Sequence, residues 1–287
     1  MKKLNRNKLC WCQSKKKYKH CHLTTDEALF ELRQKGYPIP SRRIIRTAEQ
    51  IEGIRRSCKL TAQILDELNT VIKPGMTTND IDRWVHDYTL SHGATPAPLG
   101  YKGFPKSICT SLNEVICHGI PEDRVLVEGD ILNVDVTCIL EGYYGDSCRM
   151  YPIGTISKDA ETLCRVTKEC LLRAIEYIKP FDSLATIGET IEDHAHANGF
   201  SVVDTYGGHG LGLAFHEEPF VFHCRQAQKQ MIMVPNMTFT IEPMINAGRK
   251  EAKLLADDWT AVTADGSLSA QWEHTVLITD DGADILT

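Results

Sequence analysis

Two passages of this chain repeat each other. Set without a gap at an offset of 106 residues, Ile72-Lys73-Pro74 falls on Ile178-Lys179-Pro180, Ile81 on Ile187 and Gly93 on Gly199. A helix stop, a core position and a terminal glycine thus coincide at one offset, the mark of an internal duplication. The strands after each pair of helices repeat at an offset of 107, where Val127 to Asp135 lies over Val234 to Glu242, so that Asp135 has Glu242 as its counterpart. The duplication predicts one domain of α/β (α+β) class built from two halves about a pseudo-twofold axis, with a curved antiparallel β-sheet inside and helices outside.

Local signals fill in the halves. Thr47-Ala-Glu-Gln50 is a capping box, Ile51, Ile54, Cys58, Leu65 and Leu68 keep helical spacing, and Lys73-Pro74-Gly75 ends the run. A second helix opens at Thr78 and carries Ile81, Trp84, Val85 and Tyr88 on one face. The second half repeats this with Leu163, Val166, Cys170, Ala174 and Ile178, then Ile187 and Ile191. Between them, Leu132, Val134 and Val136 alternate with Asn133, Asp135 and Thr137, the period of a strand with one apolar face. Glu141-Gly142 supplies a turn, and the returning strand brings Asp146 near Asp135. Gly142 and Gly145 are expected to permit a bulge that aims both carboxylates at one point.

A carboxylate flanked by valines in a covered strand is costly unless paired or bound to metal. The second half adds His209 between glycines, Glu242 in Thr240-Ile-Glu242-Pro243, and Glu273 in Gln271-Trp-Glu273. Asp135, Asp146, Glu242 and Glu273 in one cavity would repel, and two divalent cations would cancel their charge. Carboxylate-bridged metals about 3.5–4 Å apart are a recurrent hydrolytic device. Oxygen-rich ligation with one nitrogen suits Mn(II), Fe(II), Co(II) or Zn(II).

The N-terminal residues differ from this body. Residues 1–22 hold eight Lys and Arg and no acid, which leaves 24 basic against 38 acidic residues, a charge of −14, in a chain whose total is −6. Within them Cys10-Trp-Cys12 is followed by Cys21-His22, a spacing that suits one structural zinc through Cys10, Cys12, Cys21 and His22, with His20 the weaker candidate for the fourth position. The other cysteines are scattered through apolar segments, as reduced core cysteines are. The expected division is a zinc knuckle over 1–23, a linker or arm over 24–43 marked by Gly36-Tyr-Pro38-Ile-Pro40, and a catalytic body over 44–287. No apolar run approaches membrane-spanning length, and the start lacks a secretory apolar core, so a cytoplasmic enzyme is expected.

Several motifs in one order carry a resemblance: Tyr101-x-Gly-Phe104-Pro-Lys-Ser, Asn113-Glu-Val-Ile-Cys-His118-Gly-Ile-Pro, Asn133-Val-Asp135-Val-Thr, Gly145-Asp146, Gly208-His209-Gly-Leu-Gly, His216-Glu-Glu-Pro219, Thr240-Ile-Glu242-Pro243 and Ser269-Ala-Gln-Trp-Glu273-His-Thr. Over about residues 44–287 the chain resembles the type I methionine aminopeptidases, which have the pita-bread fold. The resemblance implies Asp135 as the terminal ligand of one metal, Asp146 and Glu273 as a bridging pair, and His209 with Glu242 on the other metal. It also implies Glu242 as proton shuttle and His118 and His216 as groups that contact the scissile amide and its oxyanion. Tyr101, Phe104, Cys109, Phe215 and Trp259, with the two histidines, match the methionine pocket. Pro98 stands where many relatives have Cys, and Phe104 where Tyr is expected, which touches the fine structure of the pocket and not the reaction.

The knuckle resembles the small zinc motif at the C-terminus of the SecA translocation ATPase, and its basic charge suggests guidance of the enzyme to ribosomes. Expected partners are the N-termini of nascent polypeptides, with no membrane, and the chain is expected to act as a monomer. Two rivals stand beside this reading. Proline-specific peptidases share the fold and metals but usually carry a longer N-terminal domain; pita-bread binding modules lose ligands, and all five are present here.

Overall fold

The structure is a computed structural model that describes residues 4–287; Lys2 and Lys3 of the basic segment lie outside the described residues. Among the described residues five α-helices form: α1 (Leu23–Gln34), α2 (Ala48–Val71), α3 (Thr78–Ser91), α4 (Lys158–Glu176) and α5 (Ala185–Ala197). The α2/α3 and α4/α5 pairs are the two copies of the repeat. The Thr47–Gln50 capping box is present, its side chains and backbones bonded reciprocally. α3 opens at Thr78 as expected, and its cap, Thr77, forms a second capping box with Asp80 that the sequence reading did not include.

Each repeat has its own apolar core. Ile64, Leu65, Leu68, Ile81 and Val85 pack on Leu132, Val134 and Val136 in the first. In the second, Leu163, Val166, Ile187 and Ile191 pack with Phe239, Ile241 and Ile245. The strands lie between these helix pairs in four antiparallel sheets, so helices are outside and the faces turned away from them meet at the centre.

The Ile131–Leu140 and Tyr143–Pro152 strands form the expected hairpin. Glu141 (φ 52°) and Gly142 (φ 83°) both take positive φ, as a two-residue turn requires if its twist is to match the strands. The expected bulge is absent. Pairing runs in one register from Ile131↔Pro152 to Leu140↔Tyr143. Gly145 serves packing instead: a Cβ there would lie 2.3 Å from the Cys58 backbone nitrogen of α2. Thr61 and Ser57 of that helix donate to the Gly145 and Cys138 carbonyls.

The stretch expected as an arm holds a helix, α1, whose Leu29 enters the second core together with Ile44 and Ile45. The Pro38 and Pro40 segment carries no helix or strand, but the weakly amphipathic residues before Gly36 form a helix whose Leu29 finds a tertiary partner.

Candidate metal centre and substrate cavity

The regular hairpin register places the first two carboxylates. Thr137 faces Asp146 directly and Asp135 faces Cys148. Directly opposed residues share a sheet face, and so do residues two apart, so Asp135, Thr137 and Asp146 project together. Thr137 donates to Asp146 Oδ1 at 2.7 Å.

The second repeat supplies the rest from interrupted strands. His209 sits in the Gly208–Gly210 strand, where a Cβ on Gly208 would stand 2.2 Å from the Thr240 carbonyl oxygen and one on Gly210 2.0 Å from that of Glu218. Only glycines allow so close an approach. The His209 backbone N–H donates to Thr240 Oγ1, and its Nδ1 lies 3.1 Å from the Gly210 carbonyl. Donation there places the ring proton on Nδ1 and turns the Nε2 lone pair inward. Nε2 stands 3.7 Å from both Asp146 and Glu242 carboxylate oxygens. Glu242 lies between the Thr238–Ile241 and Met244–Asn246 strands and accepts from Thr240 (2.7 Å) and Gln271 (3.2 Å). The pairs Ile241↔His274 and Met244↔Gln271 share one register, which sets Glu242 opposite Glu273.

Ligand atoms of Asp146, His209 and Glu273 lie within 4.8 Å of one another. Glu242 joins this trio through His209 and Asp135 through a side-chain hydrogen bond with Asp146; all five line a single cavity of about 530 Å³. Among the described residues, His209 is the only basic side chain within salt-bridge distance of the four carboxylates. Burial lifts Asp135 to about 7 and Glu242 to about 8. Asp146 and Glu273 are pushed well up by burial and then by the neighbouring carboxylates. Burial lowers His209 to about 4, so its imidazole is neutral. A nest of oxygens with one neutral nitrogen and no protein counter-charge fits divalent cations.

The same cavity also has apolar walls. Tyr101, Phe104, Cys109, Phe215 and Trp259 line it, as do His118 and His216. Phe104 meets the Trp259 ring edge-on at 5.1 Å, and Tyr101 packs on Phe215 at 4.8 Å. His216 stacks on Tyr101 and lies 4.1 Å from the His209 ring, while His118, at φ 57°, stands edge-on to Tyr206 and Trp259. Tyr206, Phe220 and Met244 also line the cavity and were not anticipated. Tyr206 precedes Gly207-Gly208-His209 and Met244 follows Glu242-Pro243, so proximity to the ligands was the available signal.

At the N-terminus the ligand atoms of Cys10, Cys12, Cys21 and His22 lie within 4.8 Å of one another. His20 is exposed and outside the group. Tyr18, buried, donates to Asp26 of α1, which also pairs with Arg42, and the Arg42 guanidinium lies over Trp11.

The sequence profile of metallopeptidase family M24 matches residues 52–280. The chain belongs to metallopeptidase family M24. A SEC-C motif matches residues 6–24, which contain the cysteine cluster. The chain is 50% identical to a methionine aminopeptidase of Chlamydia trachomatis, over 99% of each chain. A crystal structure of methionine aminopeptidase from Rickettsia prowazekii superposes with a TM-score of 0.83 at 45% identity, covering 85% of this chain and 98% of that one. An Xaa-Pro dipeptidase from Bacillus anthracis shares the fold, with a TM-score of 0.70 at 19% identity, and this chain covers only 62% of it.

The raised carboxylates of this cavity make a pH prediction. An acid whose folded pKa exceeds its unfolded value keeps, when folded, a proton that the unfolded chain has released. Asp135 and Glu242 rise from 3.8 and 4.5 to about 7 and about 8, so their penalty is absent below about pH 4 and complete above about pH 8. Metal-stripped protein should therefore lose thermal stability across that window, and added Mn(II) should raise its melting temperature more at pH 8 than at pH 5.5. Melting curves of stripped protein check this; a cation effect independent of pH would contradict it.

Proposed function

We propose that this metallopeptidase removes the N-terminal methionine of nascent proteins by hydrolysis of the first peptide bond, as a methionine aminopeptidase. The observation that carries this reading is that one cavity joins a carboxylate-imidazole nest to an apolar pocket of aromatic rings and a buried thiol. A free N-terminal residue placed with its side chain in the pocket has its first carbonyl beside the nest. Thioether packing against rings suits methionine.

Asp135, Asp146, His209, Glu242 and Glu273 would hold two divalent cations, with Co, Mn, Fe or Zn all compatible with the donor set. Bound there, such cations would supply charge compensation for the carboxylates, a site for the free α-amine and a more acidic water molecule. Glu242, held by Thr240 and Gln271, takes a proton from the attacking water and returns it to the leaving amine as the C–N bond breaks. Burial lowers His216 to about 3 and also lowers His118, so both imidazoles are neutral and each keeps one N–H for the carbonyl oxygen or the amide.

Cys10, Cys12, Cys21 and His22 form a closed donor set for one structural zinc, with no position left for chemistry. The proposed division is a knuckle over 1–23, an arm over 24–43 that includes most of α1, and a catalytic body over 44–287. The basic knuckle would dock on ribosomes, which suits a monomeric cytoplasmic enzyme acting on emerging chains. Among the described residues no helix is long and apolar enough to cross a membrane.

A peptide panel tests the reading. Stripped protein given each metal in turn should release the first residue from Met-Ala and Met-Gly peptides and leave Xaa-Pro peptides intact. Turnover of Ala-Pro without turnover of Met-Ala would assign the cavity to the proline-specific reaction.

A further inference from the structure

His223 is 1% exposed, and the reaction as derived makes no use of it. Its Nε2 lies 3.2 Å from the Glu242 backbone nitrogen and accepts that N–H. The need for such a bond comes from a difference between the two repeats. Asp135 lies inside an uninterrupted strand, paired on one side with Cys109 and on the other with Cys148. Its counterpart Glu242 is followed by Pro243, which has no N–H, and the strand is broken there into Thr238–Ile241 and Met244–Asn246. Across the gap, Glu273 gives its own N–H to the Cys148 carbonyl of the first-repeat hairpin, at 3.2 Å.

The ladder thus opens where the two glutamates face each other, and the Glu242 amide loses its strand partner inside the protein. A buried amide of this kind needs an acceptor. His223 supplies one from outside the ladder, and the segment that carries it is wedged against α5, where a Cβ on Gly188 would stand 2.6 Å from the Cys224 carbonyl oxygen. Acceptance at Nε2 leaves the ring proton on Nδ1, which has no hydrogen-bond partner among the described residues. The imidazole is therefore placed for the single bond to Glu242 and not for a wider network.

We propose that His223 is a positioning residue: it replaces the missing ladder bond at Glu242 and thereby sets the backbone from which the Glu242 carboxylate projects. The inference rests on the reading of Glu242 as a metal ligand and proton carrier.

The test compares His223→Leu, His223→Gln and Glu242→Ala in the full chain, with Ile191→Val, a buried α5 position in the second core, as the control for lost stability. Mn(II) titration of stripped protein is read beside kcat and KM for a Met-Ala peptide and the thermal midpoint. His223→Leu should weaken Mn(II) binding by about 10- to 100-fold and lower kcat with little change in KM, and His223→Gln, which keeps an acceptor, should recover most of both. If His223→Leu does not fold, His223→Gln against His223→Asn, one methylene shorter, gives the same ordering. The proposal is overturned if His223→Leu binds Mn(II) and turns over as the unaltered chain does, or if Ile191→Val at an equal thermal midpoint shows the same losses. Should Glu242→Ala itself bind Mn(II) normally, the fault would lie with the reading of Glu242.

Discussion

Glu242→Gln is expected to lower kcat for release of methionine from a Met-Ala peptide by about 10²- to 10⁴-fold, the range for loss of a positioned acid–base group. The substitution is close to isosteric. Its amide oxygen can still accept from Thr240 and the backbone bond to His223 is untouched, while the new NH2 meets Gln271 only if that side-chain amide turns over to present its Oε1, which has no partner among the described residues. What disappears is a negative charge in a nest that balances cations and the group assigned to carry a proton in both directions. Both losses act on kcat, because a neutral amide can neither take the proton of the attacking water nor give it to the leaving amine. Steady-state kinetics on stripped and reloaded protein read the effect. A kcat within about tenfold of the unaltered chain would remove Glu242 from the proton-carrier role and shift the search to His118 and His216.

The second large effect concerns the knuckle. Cys12→Ser should abolish the single zinc expected in the purified chain and unfold the segment before α1. Apparent binding energies of structural zinc in short peptides are about 10–16 kcal/mol at neutral pH, far more than so small a segment can draw from apolar burial. Here the described part of that segment buries Cys10 and Tyr18, and little else of it is apolar and covered. Without the ion, burial holds the Cys10 thiol up at about 11, so the ion must displace a proton there. The expected readouts are loss of zinc by elemental analysis and rapid tryptic cutting in the Lys15-Lys16-Lys17 run. A protein lacking residues 1–40 with zinc content equal to the full chain would place the metal elsewhere.

Much of the candidate site was legible because its residues sit in periodic or duplicated surroundings. Asp135 stands out as a charge among alternating valines, and the repeat pairs it with Glu242. His209 was marked by glycines, which the structure explains by backbones that approach too closely for any Cβ. The pocket and the two further histidines were reached through motif resemblance, and all of those positions line the cavity. His223 was missed because its role is met by a backbone N–H, and a residue that answers a broken ladder leaves no pattern of its own. α1 was missed for a related reason: its helix is weakly amphipathic, and the contact that holds it, Leu29 in the second core, lies far away in the chain.

By itself the sequence determined the two-repeat architecture, the Thr47–Gln50 capping box, the hairpin turn and the carboxylates that meet in one cavity. These follow from short-range rules, helix and strand periods, caps and turn chemistry, which act between residues close in the chain. Only the tertiary structure decided that the hairpin is regular, that Gly145 admits α2 rather than a bulge, and that the second ladder opens between Glu242 and Glu273. Those features depend on which backbones meet once the elements pack: Gly145 meets Cys58 of α2, 87 positions away, and the Glu273 N–H reaches the Cys148 carbonyl of the other repeat, 125 positions away. Such contacts are set by packing of the whole body and have no local signature.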